Sequence, residues 1–234
     1  MDYGEIFMHR GKAYHNAMLR QPTARDHEFE RLFDACRPGA GQHLLDFPSG
    51  GGYLQRHLAA GVTVQNLELS SGFDTGVPVC DAAANINSGP FDHIVCLAAL
   101  HHIDDQAGFL ERLLGQLRPG GTLHVGDIAS GSGIDAFLDG FIGRYNQTGH
   151  QGSYLRNDPA WFERIGQVTR IGELSCPWVF ESEAQMLDFC NDLFGLVDCP
   201  RQDLRDALSS HVGFHRQGSQ ILLEWRLLYA DLQA

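Results

Sequence analysis

Apolar positions along this 234-residue chain keep one rhythm at the start, another in the middle and a mixture at the end. Over residues 5–20, Ile6, Phe7, Tyr14, Met18 and Leu19 recur at loose helical spacing. Asp26 stands where an N-cap belongs, ahead of a helical stripe of Phe29, Leu32, Phe33 and Cys36. Arg37-Pro-Gly-Ala-Gly ends that stripe. Short apolar runs then alternate with helical patterns. His43–Phe47, Thr63–Leu69, Val77–Cys80, Phe91–Leu97 and Thr122–Ile128 read as strands. Tyr53–Ala60 and Asp105–Leu117 read as helices, the second carrying Phe109, Leu110, Leu113, Leu114 and Leu117 on one face. Strands separated by helices need crossovers, so the pattern predicts an α/β fold with an open, doubly wound parallel sheet.

The second half follows another plan. Ile134, Phe137, Leu138, Phe141, Ile142 and Tyr145 repeat at helical spacing. Asp158-Pro159 opens a short helix with proline at its tolerated first position. A strand is expected around residues 168–179. Ser182 and Gln185 form a capping-box pattern for a helix ending near Gly195, and Pro200–Leu208 reads as helical. Gln220–Ala230 reads as one long strand with Ile221, Leu223, Trp225, Leu227 and Tyr229 on one face. A single domain over residues 1–234 follows, with a helical cap at 1–25. Segments 130–157 and 181–213 are expected to form a lid over the ligand side of the sheet.

Composition narrows the partners. The net charge is −12, and every basic residue except Lys12 is an arginine, scattered along the chain. A nucleic-acid backbone or an anionic membrane would call for a concentrated basic patch, so neither is expected. Neither a long apolar span nor a signal-like N-terminus is evident, which makes a cytoplasmic protein the expectation. The six cysteines make no C-x-x-C pair, so no metal site is expected from them, and Cys80 and Cys96 read as buried thiols.

Candidate chemistry gathers where such a sheet places its ligand crevice, at the carboxyl ends of the strands. Leu44 to Gly52 reads Leu-Leu-Asp-Phe-Pro-Ser-Gly-Gly-Gly, a strand ending in an acid and passing into a glycine turn. Glycine allows close backbone approach, and free N–H groups at a following helix start would suit a carboxylate or other anion. Glu68 closes the next strand, about 20 residues beyond the turn, where an acid can accept both hydroxyls of a ribose. Asp81-Ala82 follows the third strand. The fourth runs into Leu97-Ala-Ala-Leu-His-His-Ile-Asp-Asp, an apolar run broken by two histidines.

In this order and spacing, the features resemble the class I S-adenosylmethionine-dependent methyltransferases of the small-molecule group. Asp46–Gly52 is similar to the family's acid-x-G-x-G-x-G loop, and Leu117-Arg-Pro-Gly-Gly-Thr-Leu to the lead-in of its fifth strand. The likeness covers about residues 30–130 well and the rest in outline. It implies a mostly parallel, seven-stranded Rossmann-like sheet and S-adenosyl-L-methionine as cofactor. It places Asp46, Pro48, Ser49, Gly50 and Gly52 at the cofactor loop, with Gly50 and Gly52 close to the methionine portion, Glu68 at the ribose, and Asp81 and Ala82 at the adenine, and it counts Leu69, Leu97 and Ala98 among the cofactor contacts. Arg10 is a candidate for the methionine carboxylate, or else part of a surface helix on the sheet edge. Pro48 departs from the pattern: it stands where the family's first loop glycine would and supplies no N–H.

Methyl transfer from a sulfonium needs alignment, exclusion of water and a base when the acceptor carries a proton. His101 and His102 are the candidates for that base. His101 is preferred as the one aimed at the crevice, because neighbours in an extended segment point opposite ways. Tyr14, Tyr145, His150 and Trp178 are candidates for contact with the acceptor, expected to be a small, partly apolar metabolite methylated on O, N or C. A homodimer is compatible with the sequence. Two other readings stay open: a cofactor-binding protein without methylation, motivated by Pro48, and a non-methylating use of the same sulfonium.

Overall fold

The computed structural model describes residues 3–81, 86 and 89–234. Four parallel strands form the heart of the main sheet: β1 (His43–Asp46), β2 (Thr63–Asn66), β3 (Phe91–Leu97) and β4 (Leu117–Asp127). Two more complete it, β5 (Gln167–Ser175) and β9 (Arg226–Gln233), in the order β2-β1-β3-β4-β9-β5 with β9 antiparallel to both its neighbours. Consecutive residues of the inner strands feed opposite faces. Leu44, Leu227 and Tyr229 enter one core cluster, whereas Leu45, Leu228 and Ala230 enter the other. Both faces are therefore dry, as a sheet covered by helices on two sides requires.

Helix α1 (Tyr3–Arg20) contributes Ala17 and Met18 to one core and Tyr3, Ile6 and Phe7 to the other. Helix α2 (Asp26–Leu32) lies on the first face, and α3 (Gln106–Leu114) and α6 (Pro159–Glu163) on the second. After β4 the chain forms a continuous helical stretch: α4 (Gly133–Ala136), a π-helical segment (Phe137–Ile142) and α5 (Gly143–Tyr145). Helices α7 (Glu183–Leu193) and α8 (Arg201–Ala207) join the first face.

Several local expectations meet corrections. Among the described residues the main sheet has six strands rather than the expected seven; where another edge strand was expected, Val77–Cys80 shows a single parallel bridge, Glu68 to Val79. Cys96 is buried, but Cys80 is only half-buried. Tyr53–Ala60 forms one 3-10 turn, Leu54–His57, after which Leu58 is already extended. A hydrogen bond from Gly41 N–H to Gly61 O fixes the return into β2 and leaves little room for a longer helix. Asp26 does not cap α2; it pairs with Arg56 instead. Asp158 and Ser182 do cap their helices, accepting from Ala160 N–H and Gln185 N–H.

The two long C-terminal strands both break. Cys176 N–H donates to Trp225 O at 2.9 Å, and beyond that point the paired chains bend together out of the main sheet. They continue as β6 (Trp178–Phe180) and β8 (Gln220–Leu223), joined by β7 (Phe214–Gln217), in a small antiparallel sheet ordered β6-β8-β7. Pro177, which donates no N–H, sits at the bend.

Candidate functional site

Past Asp46 the chain turns through Phe47–Gly52, where Gly50, Gly51 and Gly52 take φ of 59°, 113° and 82°. Side chains rarely adopt that region, so the glycine run is what allows the turn. Ser49 N–H donates to Leu67 O at 2.9 Å and holds the turn against β2. Glu68 swings its carboxylate into the turn: Gly50 N–H donates to Oε2 and Leu69 N–H to Oε1, both at 2.7 Å. The Tyr3 hydroxyl bonds the same carboxylate. Burial pushes the Glu68 carboxyl up to about 7, against the opposing pull of these donors. Asp46 lies close by, and burial together with Glu68 raises its carboxyl well above the usual range.

Helix α1 lies across the 3-10 turn Ser71–Phe73, which follows β2 and Glu68. A Cβ on Gly72 would fall 2.0 Å from Phe7 O, and one on Gly11 would fall 2.7 Å from the Gly72 carbonyl carbon. Helix and turn thus meet backbone to backbone, which only glycine permits. The contact seats Tyr3, Phe7 and Tyr14 over the glycine turn. They leave a cavity of about 30 Å³, bounded also by Asp46, Pro48, Ser49, Gly50, Leu97 and Ala98. Ser49 Oγ is buried beside it without a partner.

A second cavity of about 50 Å³ adjoins the first, with Phe7, Tyr14, Arg25 and Ala98 in the walls of both. Ala98 holds φ at 52°, an uncommon value for a side-chain-bearing residue, and its N–H donates to Gly126 O at 2.7 Å. Across from Ala98 stand His101, His102 and His150, all buried. Residues 100–102 form a 3-10 turn rather than an extended segment, so both adjacent histidines face this cavity, their rings 4.0 Å apart. The expectation that they point opposite ways is overturned.

Each outer histidine is held by a carboxylate. His101 Nδ1–H donates to Asp127 Oδ1 at 2.6 Å. Asp127, fully buried at the end of β4, also accepts from the N–H groups of His101 and Ile128. His150 Nδ1–H donates to Asp139 Oδ1 at 3.0 Å, an oxygen that also accepts from Gly152 N–H and the Tyr154 hydroxyl. Ser153 N–H donates to His101 O at 2.9 Å and ties the His150 loop to the 3-10 turn. His102 has no such support: its Nε2 is buried without a partner. Burial and then the His101 charge lower the His102 imidazole well below its usual value, and they push His150 down to about 4.

Arg10 lines the histidine cavity, its Nη1 donating to Phe194 O at 3.3 Å and its Nε buried without a partner. Burial lowers its guanidinium to about 10. Tyr14 and Trp178 also reach this cavity. Tyr145 does not; it lies in a surface groove and donates to Asp203 Oδ2 at 3.1 Å. Asp81 is exposed and lines neither cavity, and Ala82 lies outside the described residues. Gly52 sits against Asn66, and Leu69 touches Glu68 through its N–H. Sequence reasoning missed Phe7, Arg25, Asp127 and Asp139. Asp127 alone had a signal, an acid closing a strong apolar strand as Asp46 does.

Comparison with known proteins agrees with this geometry. Residues 18–171 match the model of a methyltransferase domain. An uncharacterized methyltransferase of Mycobacterium tuberculosis is 32% identical over 125 residues, 46% of this chain and 61% of that one. A ubiquinone biosynthesis O-methyltransferase of Ralstonia nicotianae is 30% identical over 107 residues, 39% of this chain and 45% of that one. The chain thus spans less than two thirds of either relative. A coclaurine N-methyltransferase bound to N-methylheliamine and SAH superposes with a TM-score of 0.57 at 13% identity, covering 92% of this chain and 70% of the other, a likeness of fold. The chain belongs to the methyltransferase domain family, among the Rossmann-like class I S-adenosylmethionine-dependent methyltransferases.

Proposed function

We propose that the chain binds S-adenosyl-L-methionine at the glycine turn and transfers its methyl group to a small acceptor held in the histidine cavity. The observation that carries this reading is the shared wall. Ala98 and Phe7 border both the glycine-turn cavity and the histidine cavity, so a group leaving one meets an acceptor in the other. When bound, the cofactor supplies an electrophilic methyl carbon on a sulfonium sulfur.

The donor set fits that cofactor. Gly50 and Gly52 permit close approach, Ser49 Oγ has no protein partner, and Glu68 offers a carboxylate where ribose hydroxyls would lie. Space is the obstacle: a cavity of about 30 Å³ holds little more than water, whereas small-molecule sites run to roughly 300 Å³ and above. Tyr3 and Phe7 fill the difference, so the N-terminal half of α1 withdraws to admit the cofactor and reseats over it. Segments 130–157 and 181–213 supply His150 and Phe194 to the acceptor cavity and act as its lid. Asp81 and Ala82 would meet the adenine at the open edge.

The chain's residues supply alignment and a base. Asp127 accepts from His101 Nδ1, which fixes the tautomer and leaves Nε2 able to take a proton. An acceptor O–H or N–H held against His101 would give its proton to that nitrogen, while the bound cofactor would supply the methyl group. Trp178, Phe194 and Trp225 give the cavity apolar walls and exclude water. Calorimetric titration with S-adenosylhomocysteine tests the cofactor reading: micromolar to low-millimolar binding supports it, and no heat rejects it. Glu68→Ala should weaken that binding; unchanged affinity removes the ribose role. A cofactor-binding protein without methylation is the second reading, motivated by Pro48, which stands at the first loop glycine and supplies no N–H. Formation of S-adenosylhomocysteine from labelled cofactor excludes it.

A further inference from the structure

We propose that His101, His102 and His150 form a binding site for a divalent first-row transition metal of the zinc type, open toward the acceptor cavity. Three observations converge. First, one ring nitrogen from each histidine lies within 4.8 Å of the others, and all three residues are buried. Second, the outer pair is backed by carboxylates, His101 by Asp127 at 2.6 Å and His150 by Asp139 at 3.0 Å. A carboxylate behind the far nitrogen is how metal-binding imidazoles are oriented and made more basic. Third, His102 Nε2 is buried in the cavity wall with no partner among the described residues.

Three imidazoles with a fourth position left to solvent or substrate is the ligand count of a catalytic rather than a structural zinc site. Imidazole donors also suit iron, nickel and copper, so the class is fixed more firmly than the element. A tetrahedral ion with Zn–N bonds of about 2.0–2.1 Å sets its nitrogens roughly 3.3 Å apart. The present spread of up to 4.8 Å therefore closes by a small rotation of one ring. His102 gives up no hydrogen bond at Nε2 in making it.

The nearby charges define what the open position accepts. Arg10 lines the same cavity with Nε unpartnered, and Arg25 lines it paired to Glu28. The Arg10 guanidinium, with no carboxylate against it among the described residues, opposes a bare dication. It favours one whose fourth ligand is an anionic oxygen that Arg10 can also reach. The site thus selects acceptors with an ionisable oxygen, such as a phenol or an acidic enol. A bound ion lowers the pKa of that oxygen. His101 cannot be ligand and base at once, so the ion takes over the activation assigned above to His101. The site itself stands on the three residues and does not rest on the methyl-transfer reading; only the role of its open position does.

Cobalt(II) is the probe, titrated alone into full-length protein dialysed against a chelator. One equivalent should bind, with the intense visible bands of low-coordinate cobalt. The double variant His102→Gln/His150→Gln should lose those bands while its far-UV circular dichroism is kept. Asp139→Asn should weaken binding by about ten- to a hundred-fold. Absence of the bands in wild-type protein, or their persistence in the folded double variant, overturns the site. S-adenosylhomocysteine affinity, measured on the same chelated protein, reports on the cofactor reading separately. Cobalt bands without nucleoside binding would keep the metal site and sink methyl transfer; the converse would sink the metal site alone.

Discussion

Two buried histidine clusters sit at opposite ends of the same parallel strands, and they differ in how they are finished. At the amino ends, His93 Nδ1 meets His124 Nε2 at 3.0 Å, and His124 Nδ1–H donates to Asp231 Oδ1 at 2.8 Å. Arg170 pairs with Asp231 at 2.8 Å, and the Gln42 carbonyl oxygen accepts from His93 Nε2–H at 3.2 Å. Every ring nitrogen of that chain is used by protein. At the carboxyl ends, His101 and His150 each spend one nitrogen on a carboxylate, and His102 leaves Nε2 unpartnered beside a cavity. Burial is similar in both. Burial alone therefore does not mark a functional histidine; an unspent nitrogen facing a cavity does, and it falls at the strand ends where open α/β sheets hold ligands.

The comparison makes separable demands. The largest effect belongs to the closed end. Asp231→Ala strands His124 and the Arg170 charge and should cost about 3–5 kcal/mol of stability, read by denaturant unfolding, without altering cofactor affinity. At the open end, Asp127→Asn should lower methyl transfer by about 10²–10³-fold, because the support of His101 is weakened, while cofactor affinity holds. A matched His93→Gln variant should keep its turnover per folded molecule. Equal losses in both would erase the distinction.

Glu68 ranks third. Its carboxyl is raised to about 7 in the folded protein, so between roughly 4.5 and 7 the unfolded chain gives up a proton that the folded one keeps. Stability from this group is full below that window and is lost as pH rises through it, by at most about 3 kcal/mol. Glu68→Gln should flatten that slope in unfolding measurements; an unchanged slope would place the titration elsewhere. The smallest effect is His102→Gln, expected to shift stability by less than about 1 kcal/mol because no partner is lost. A loss like that of Asp231→Ala would mean that His102 is structural.

Much of the open end was legible in the sequence, for a local reason. Asp46, Gly50, Glu68 and the His101–His102 pair are fixed by strand ends and a glycine turn, and strand ends follow from short apolar runs. The histidine orientation was not legible, since one 3-10 turn over residues 100–102 reverses an argument built on extended chain. Arg25 and Asp139 were missed because apolar spacing does not show which polar side chain turns inward, even where the partner is as near in sequence as Glu28 or His150. The C-terminal strands misled for a similar reason. Gln220–Ala230 keeps an unbroken alternation, yet the chain leaves one sheet for another at Trp225, a bend set by its pairing with Cys176. Tyr145 has the composition of a site residue and the position of a surface one.

A crystal structure with S-adenosylhomocysteine bound measures the central claim most directly, that the glycine turn and the histidine cavity are two halves of one reaction chamber. The account predicts the thioether sulfur against Ala98, facing the three histidines, with the Tyr3 hydroxyl withdrawn from Glu68. A nucleoside bound elsewhere, with Tyr3 still on Glu68 and the sulfur remote from His101, would contradict it.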